Sequence, residues 1–235
     1  VITVNLSAAS SQNITVDYAV SGTATGSGTD YTLANGTLTI NAGSTSGIIT
    51  IGNIVDDSLD EVDETIIVTL SSPSNATLGN NNVHTYVIND NENAPSIGFN
   101  LISSSNDESV ASQSIDVNLS SVSSKNITVN YSATGTATGS GTDYNLANGT
   151  LTISPGEVTG TITITDIVDD SLDEANETVI ITLSSPTNAS LGTDIVHTYT
   201  INDNDNAPAI GFNITSSKSD EPSPPINITV DVSQI

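Results

Sequence analysis

The chain repeats itself at a fixed spacing of 113 positions, with no insertion or deletion to break the register. Asp30 returns as Asp143, Asp56 as Asp169, His84 as His197, Pro95 as Pro208, and Asp107-Glu108 as Asp220-Glu221. A period this long suits a whole domain rather than one turn of a solenoid. The boundaries fall at Asn89–Pro95 and Asn202–Pro208, short acidic Asn/Asp/Pro junctions unlike a flexible Gly/Ser linker. We therefore expect repeat 1 over residues 1–93, repeat 2 over residues 94–206, and a third segment over residues 207–235. Val1 aligns with Ser114, so repeat 1 is expected to lack the Ile-Gly-Phe strand and the Asp-Glu pair that open repeat 2, while the tail carries a spare set of both. Two arrangements stay open. The chain is a window of a longer covalent array, or the tail strand of one subunit completes the next by strand donation. Either way the expected partner is another copy of the same unit, arranged head to tail, and open contacts of that kind propagate as filaments.

Within each copy the apolar residues alternate with polar ones. Ile115, Val117 and Leu119 share a face, as do Ile127, Val129 and Tyr131, and then Val179, Ile181 and Leu183. Period-two alternation of this kind specifies half-buried strands. In repeat 2 the pattern predicts strands near 97–102, 113–119, 126–133, 149–154, 160–168, 178–184 and 195–202. The opposite faces are rich in Thr, which tolerates a solvated strand face. Turn residues such as Ala147-Asn-Gly149 and Ser154-Pro-Gly156 separate the runs. About seven short strands with no helical period predict an all-β fold: tandem immunoglobulin-like antiparallel β-sandwiches.

Charge narrows the function. Two Lys and no Arg stand against 27 acidic residues, a formal net charge of −25. Such a chain cannot neutralise phosphates, which argues against nucleic acid and anionic membrane surfaces. No apolar run is long enough to span a bilayer as a helix. Without cysteine there are no disulfides to staple the domains. With no cysteine nucleophile, one His per repeat and no Ser-His-Asp arrangement, no enzyme activity is expected.

The acids are not spread evenly. Ile54-Val-Asp-Asp-Ser-Leu-Asp-Glu-Val-Asp-Glu-Thr65 concentrates six carboxylates, and its counterpart is Ile167-Val-Asp-Asp-Ser-Leu-Asp-Glu-Ala-Asn-Glu-Thr178. Carboxylates so dense repel one another unless cations sit among them. Hard oxygen donors suit Ca2+, which takes about 6–8 oxygens, more than one loop supplies. Asp30 in a Gly-rich loop and Asp90 and Glu92 after the last strand are the further donors that three converging loops would bring together. His84 and His197 lie in strand patterns and are expected to make polar contacts rather than bind metal. The frequent Asn-x-Ser/Thr sequons include Asn176 inside the carboxylate loop, where a glycan would crowd an ion.

The ordered motifs Gly-Thr-Ala-Thr-Gly-Ser-Gly-Thr-Asp-Tyr (22–31 and 135–144), Asn-Gly-Thr-Leu-Thr-Ile, Ile-Val-Asp-Asp…Glu…Glu-Thr, Leu-Ser-Ser-Pro and Ile-Asn-Asp-Asn resemble the Calx-beta domain over nearly all of each repeat. That resemblance implies an immunoglobulin-like sandwich binding a cluster of calcium ions at one end, near the link to the following domain. The family serves as a calcium sensor in sodium–calcium exchangers and as a tandem module in large bacterial surface proteins. Carried over by position, the implied ligands in repeat 1 are Asp30, Asp56, Asp57, Glu61, Glu64, Asp90 and Glu92. In repeat 2 they are Glu108, Asp143, Asp169, Asp170, Glu174, Glu177, Asp203 and Asp205. Glu221 of a neighbouring copy would supply the counterpart of Glu108 to repeat 1. Asn91 and Asn204 interrupt the family's terminal acidic triplet and would offer carbonyl oxygens in place of charge. These residues point to a calcium-binding structural repeat of an extracellular or cell-surface fibre. The alternative is a calcium-dependent adhesin with a glycan or protein partner.

Overall fold

The computed structural model describes residues 1–221 and 224–233. The chain divides into two compact units: Val1–Ala94 with Val122–Lys125, and Pro95–Ser121 with the described residues from Asn126 onward. Among the described residues no helix is long and apolar enough to cross a membrane.

In the first unit the strands are β1 (Ile2–Asn5), β2 (Ile14–Gly22), β3 (Gly36–Ile40), β4 (Ser46–Ile49), β5 (Glu64–Ser74) and β6 (Val83–Ile88). They form a four-stranded sheet in the order β3-β2-β5-β6 and a two-stranded sheet β1-β4, all antiparallel. Alternation drives this: Ile14 and Val16 of β2 and Ile66 and Val68 of β5 are buried, while Asp17 is exposed. The contiguous core is small, comprising Ile2, Ala24, Tyr31, Ile49, Ile51, Ile66 and Val68.

The second unit is a fuller sandwich. Its strands are β7 (Ser96–Phe99), β8 (Ser103–Asp107), β9 (Gln113–Leu119), β10 (Ile127–Gly135), β11 (Gly149–Ile153), β12 (Thr159–Ile164), β13 (Glu177–Thr187), β14 (Ser190–Leu191) and β15 (Val196–Asn202). One sheet runs β11-β10-β13-β15-β8 and the other β12-β9-β7-β14. The core gains Ile97 and Phe99, which are 1% and 4% exposed, beside Val117, Val129, Ile181 and Tyr199.

The first expected strand is shorter than its pattern, and a strand that was not expected, β8, follows it. The run at 97–102 ends at Phe99, and the chain then changes sheets through the exposed Leu101 and Ile102 before β8 begins. β7 pairs with β9, whereas β8 runs parallel to β15. Among the strand pairings of the described residues, this one and that of β14 with β7 are parallel, against the expected antiparallel pattern. A hydrophobicity pattern cannot reveal β8, because Ser-Ser-Ser-Asn-Asp carries no apolar residue. β7 extends one sheet and β8 the other, and β8 delivers Asp107 and Glu108 to the end where β15 finishes.

The tail forms β16 (Ala209–Phe212) and β17 (Val230–Ser233), paired antiparallel with Ile210 opposite Val232 and Phe212 opposite Val230. Shifted by one period this is the β7–β9 register, Ile97 opposite Leu119 and Phe99 opposite Val117. The tail thus begins a third copy of the same ladder.

Candidate metal centre

Each cluster grows from loops that local sequence pins together. β2 ends at Gly22, whose φ is 132° and whose Cβ, if present, would lie 2.0 Å from the Thr65 carbonyl oxygen; Gly135 repeats this with a φ of 140° and 2.0 Å to Thr178. Only glycine permits that approach. The following Thr23 and Thr136 hydroxyls accept from the Thr65 and Thr178 amides at 2.8 Å. The Gly-rich loop is thereby tied to the start of β5 or β13, beside Glu64 or Glu177. Asp30 and Asp143 then accept hydrogen bonds from the Thr25 and Thr138 amides within their own loops. Their carbonyls accept from the Val55 and Val168 amides at 2.9 and 3.0 Å, which fixes the acidic loop against the Gly-rich one. Asp57 and Asp170 fold that loop on itself, accepting from the Leu59 and Leu172 amides at 2.8 and 2.7 Å.

These ties bring the carboxylates together. In the first unit one cavity is lined by Asp30, Asp56, Asp57, Glu61, Glu64, Asp90 and Glu92, the whole set implied by the resemblance. In the second unit Glu108, Asp143, Asp170, Glu174, Glu177 and Asp203 line one cavity. Asp205 stands with Glu108 and Asp203, their carboxylate oxygens lying within 4.8 Å of one another. Asp169 joins through the Asn204 amide, which donates to it at 3.0 Å. Glu221 is exposed in the tail and lines neither cavity.

The electrostatics of both clusters favour a positive guest. Burial first, then Asp203, Asp205 and Asp169, hold the Glu108 carboxyl above its usual range, against a backbone hydrogen bond from Asn204. Glu64 and Glu177 are pushed up by burial and then by Asp30 and Asp143 respectively. Burial and four neighbouring carboxylates, Asp57 first, raise Glu61. Glu108 Oε1 and Asp205 Oδ2 are buried with no hydrogen-bond partner. A buried, unpartnered carboxylate oxygen costs stability unless a cation or donor reaches it. Oxygen-only donors at mutual distances below 5 Å fit a hard divalent cation of the calcium type.

Several contributors escape sequence reasoning. Asn91 and Asn204 turn their amide nitrogens, rather than the expected carbonyl oxygens, to the carboxylates, donating to Asp56 and Asp169 at 3.2 and 3.0 Å. Asp63 and Asn176 accept from the backbone amides of Asp90 and Asp203 at 3.0 and 3.1 Å, seating the exit of the last strand. The shared offset of 27 residues is the available signal, hidden because one copy carries Asp and the other Asn. The larger omission is Lys125, which belongs with the first unit. Its ammonium lies 2.7 Å from Asp60 and 3.7 Å from Asp90. Asp60 is 2% exposed and also accepts from the Ser123 hydroxyl. Burial opposes ionisation of Asp60, but the Lys125 and Ser123 hydrogen bonds and the lysine charge outweigh it and hold the carboxyl below its usual range. Nothing in the linear sequence connects positions so far apart.

The two His residues differ. His197 is buried, with one ring nitrogen 2.6 Å from the Leu101 carbonyl, the other 2.9 Å from the Ser104 hydroxyl, and its ring against Phe99. Those are the polar contacts expected of it. His84 is exposed.

Sodium/calcium exchanger 1 of Rattus norvegicus is 29% identical over 190 residues, covering 73% of this chain; the chain spans 19% of the exchanger's length. Among solved structures, the crystal structure of CBD12 from CALX1.2 is similar over 85% of this chain and 92% of its own, at 20% identity and a TM-score of 0.43. The apo form of the Calx CBD1 domain is 26% identical, covering 47% of this chain and 98% of its own, at a TM-score of 0.44. The family model of the Calx-beta domain matches residues 1–92 and again residues 90–205. With nearly the whole of both repeats matched, this chain belongs to the Calx-beta domain family.

Proposed function

We propose that the chain is a calcium-binding structural repeat of an extracellular fibre or giant surface protein, in which Ca2+ stiffens the junction after each sandwich. The observation that carries this reading is the convergence of three acidic loops on the exit of the last strand, with the Glu108 and Asp205 oxygens buried and unpartnered. Asp30, Asp56, Asp57, Glu61, Glu64, Asp90 and Glu92 would hold the metal in the first unit. Glu108, Asp143, Asp169, Asp170, Glu174, Glu177, Asp203 and Asp205 would do so in the second. A bound ion supplies the positive charge that lets these carboxylates ionise side by side, so binding and folding are coupled. Asp90, Glu92, Asp203 and Asp205 sit within the acidic junctions themselves, so a metal they hold restrains the chain where one repeat passes to the next. A site repeated in each unit, with no nucleophile–base pair among the sequence motifs, favours a structural over a catalytic role.

A second reading, a calcium-sensing regulatory domain, draws on the likeness to the rat exchanger. Affinity separates the two: sensors work at dissociation constants of about 10⁻⁷–10⁻⁵ M, extracellular modules at about 10⁻⁴–10⁻³ M. Small-angle scattering of the chain in calcium and in chelator tests the structural role. A stiffer particle in calcium is the expected result. Identical profiles, with identical melting temperatures, would refute the proposal.

A further inference from the structure

The second unit buries a titratable ring for which the calcium sites have no use. His197 is 2% exposed on β15 and lines neither carboxylate cavity. Its neighbours assign its proton. The Leu101 carbonyl, 2.6 Å from Nδ1, can only accept a hydrogen bond, so Nδ1 carries the ring hydrogen. Nε2 then offers a lone pair, and the Ser104 hydroxyl, 2.9 Å away, donates to it. Phe99 packs on the ring at a centroid separation of 5.5 Å, so the imidazole is fixed in orientation as well as in tautomer.

The fold makes this pair, since Ser104 and His197 stand 93 positions apart. β8 runs parallel to β15 with Ser104 opposite Tyr199, and the chain leaving β7 brings the Leu101 carbonyl to the ring. A cavity of about 80 Å³ opens beside the pair, lined by Ser104, His197, Leu101, Gln113, Ile115 and Asp116 among others. His197 and Ile115 are buried, Ser104 is half-buried, and Leu101 and Asp116 are exposed, so solvent reaches the hydroxyl from one side. A serine hydroxyl bonded to the lone pair of a neutral imidazole, with the far nitrogen held by a fixed acceptor, is the arrangement that activates serine as a nucleophile.

We propose that Ser104 and His197 form an acyl-accepting pair, in which Ser104 takes a small acyl group from an activated, uncharged ester. Ser104 Oγ attacks the acyl carbon while its proton passes to His197 Nε2. The bond from that carbon to the leaving oxygen breaks, and the leaving oxygen takes the proton from Nε2. The ring returns to its neutral form, Ser104 carries the ester, and no further reactant is consumed. The Leu101 carbonyl is a positioning group, steadying the transient imidazolium through Nδ1–H. A cavity of this size has room for several waters, which suits an acetyl group rather than a long acyl chain. Asp116 at its edge and a net charge of −25 disfavour anionic donors. A carbonyl carries less charge than the carboxylate of a Ser-His-Asp triad, so a slow reaction that stops at the serine ester is expected. The pair shares no residue with the carboxylate clusters, so the proposal stands apart from the calcium reading.

The test is treatment of the whole chain, in chelator, with p-nitrophenyl acetate, following p-nitrophenolate release, intact mass and a peptide map together. A single acetyl group on Ser104 is expected, matched by the nitrophenolate released. Ser104→Ala, a small change at a half-buried position, is expected to abolish that adduct and leave the melting of the second sandwich nearly unchanged. His197→Asn is expected to slow acylation of Ser104 by about 10²–10⁴, the contribution of a positioned base. Because His197 is buried, its variant is melted alongside, and Ser104→Ala with the peptide map decides the matter if that variant fails to fold. No adduct at Ser104 would overturn the proposal, as would acetylation confined to His84, Lys125, Lys218 or the amino terminus. So would a Ser104 adduct that forms equally fast in denaturant or in a folded His197→Asn, since either would show that the imidazole contributes nothing.

Discussion

Replacing Glu108 with Gln separates the cost of the carboxylate cluster from its use. Glu108 is 7% exposed, and its oxygens lie within 4.8 Å of those of Asp203 and Asp205. At an effective dielectric constant of about 20, two unit charges at that separation repel by roughly 3.5 kcal/mol. Two such neighbours would give about twice that if all three were ionised. Proton uptake relieves much of it, because burial and the neighbouring carboxylates already push the Glu108 carboxyl upward. We therefore expect Glu108→Gln to stabilise the metal-free second sandwich by about 1–3 kcal/mol, a fraction of the unscreened repulsion. For a domain of roughly 100 residues, each kcal/mol moves the melting temperature by about 4–8 °C. In calcium the order reverses, because the variant loses a ligand charge and binds metal more weakly. Calorimetric unfolding of both proteins in chelator and in calcium at neutral pH reads both effects. A variant less stable than the parent in chelator, or one with unchanged stabilisation by calcium, would refute this electrostatic explanation.

Phe99→Ala removes a side chain 4% exposed in the second core and should destabilise that sandwich by about 3–5 kcal/mol, read as a lower second calorimetric transition with the first unmoved. Lys125→Met leaves the buried Asp60 carboxylate without its cation and should cost the first unit about 1–3 kcal/mol while tightening calcium binding there, measured by unfolding and titration. The metal-free protein should lose stability as pH rises above the ordinary glutamate value of 4.5, because Glu61, Glu64, Glu108 and Glu177 are raised and the folded state holds protons the unfolded chain has released. Asp60 acts oppositely, its contribution disappearing only as pH falls below 3.8. In calcium the glutamates are held ionised and the trend above the ordinary glutamate value should flatten or reverse, which denaturant unfolding across pH will show.

Much of this architecture is legible because burial imposes a period of two. Ile115, Val117 and Leu119 read as a core face and form one. The acidic loops are legible for a related reason: carboxylates packed that densely need a physical purpose, and the repeat marks which of them recur. What stays hidden depends on tertiary contact. The switch from β7 to β8 follows from which edge each covers. The pairing of Lys125 with Asp60 joins positions 65 apart. The roles of Asn91 and Asn204 depend on which end of an amide faces the carboxylates, and composition carries no information on that.

Equilibrium titration of the metal-stripped chain with calcium at neutral pH decides whether these clusters are metal sites at all. Saturable binding at both is expected, with the second lost on replacing Glu108, Asp203 and Asp205 together. No saturable binding at millimolar calcium, or full binding by that triple variant, would contradict the assignment.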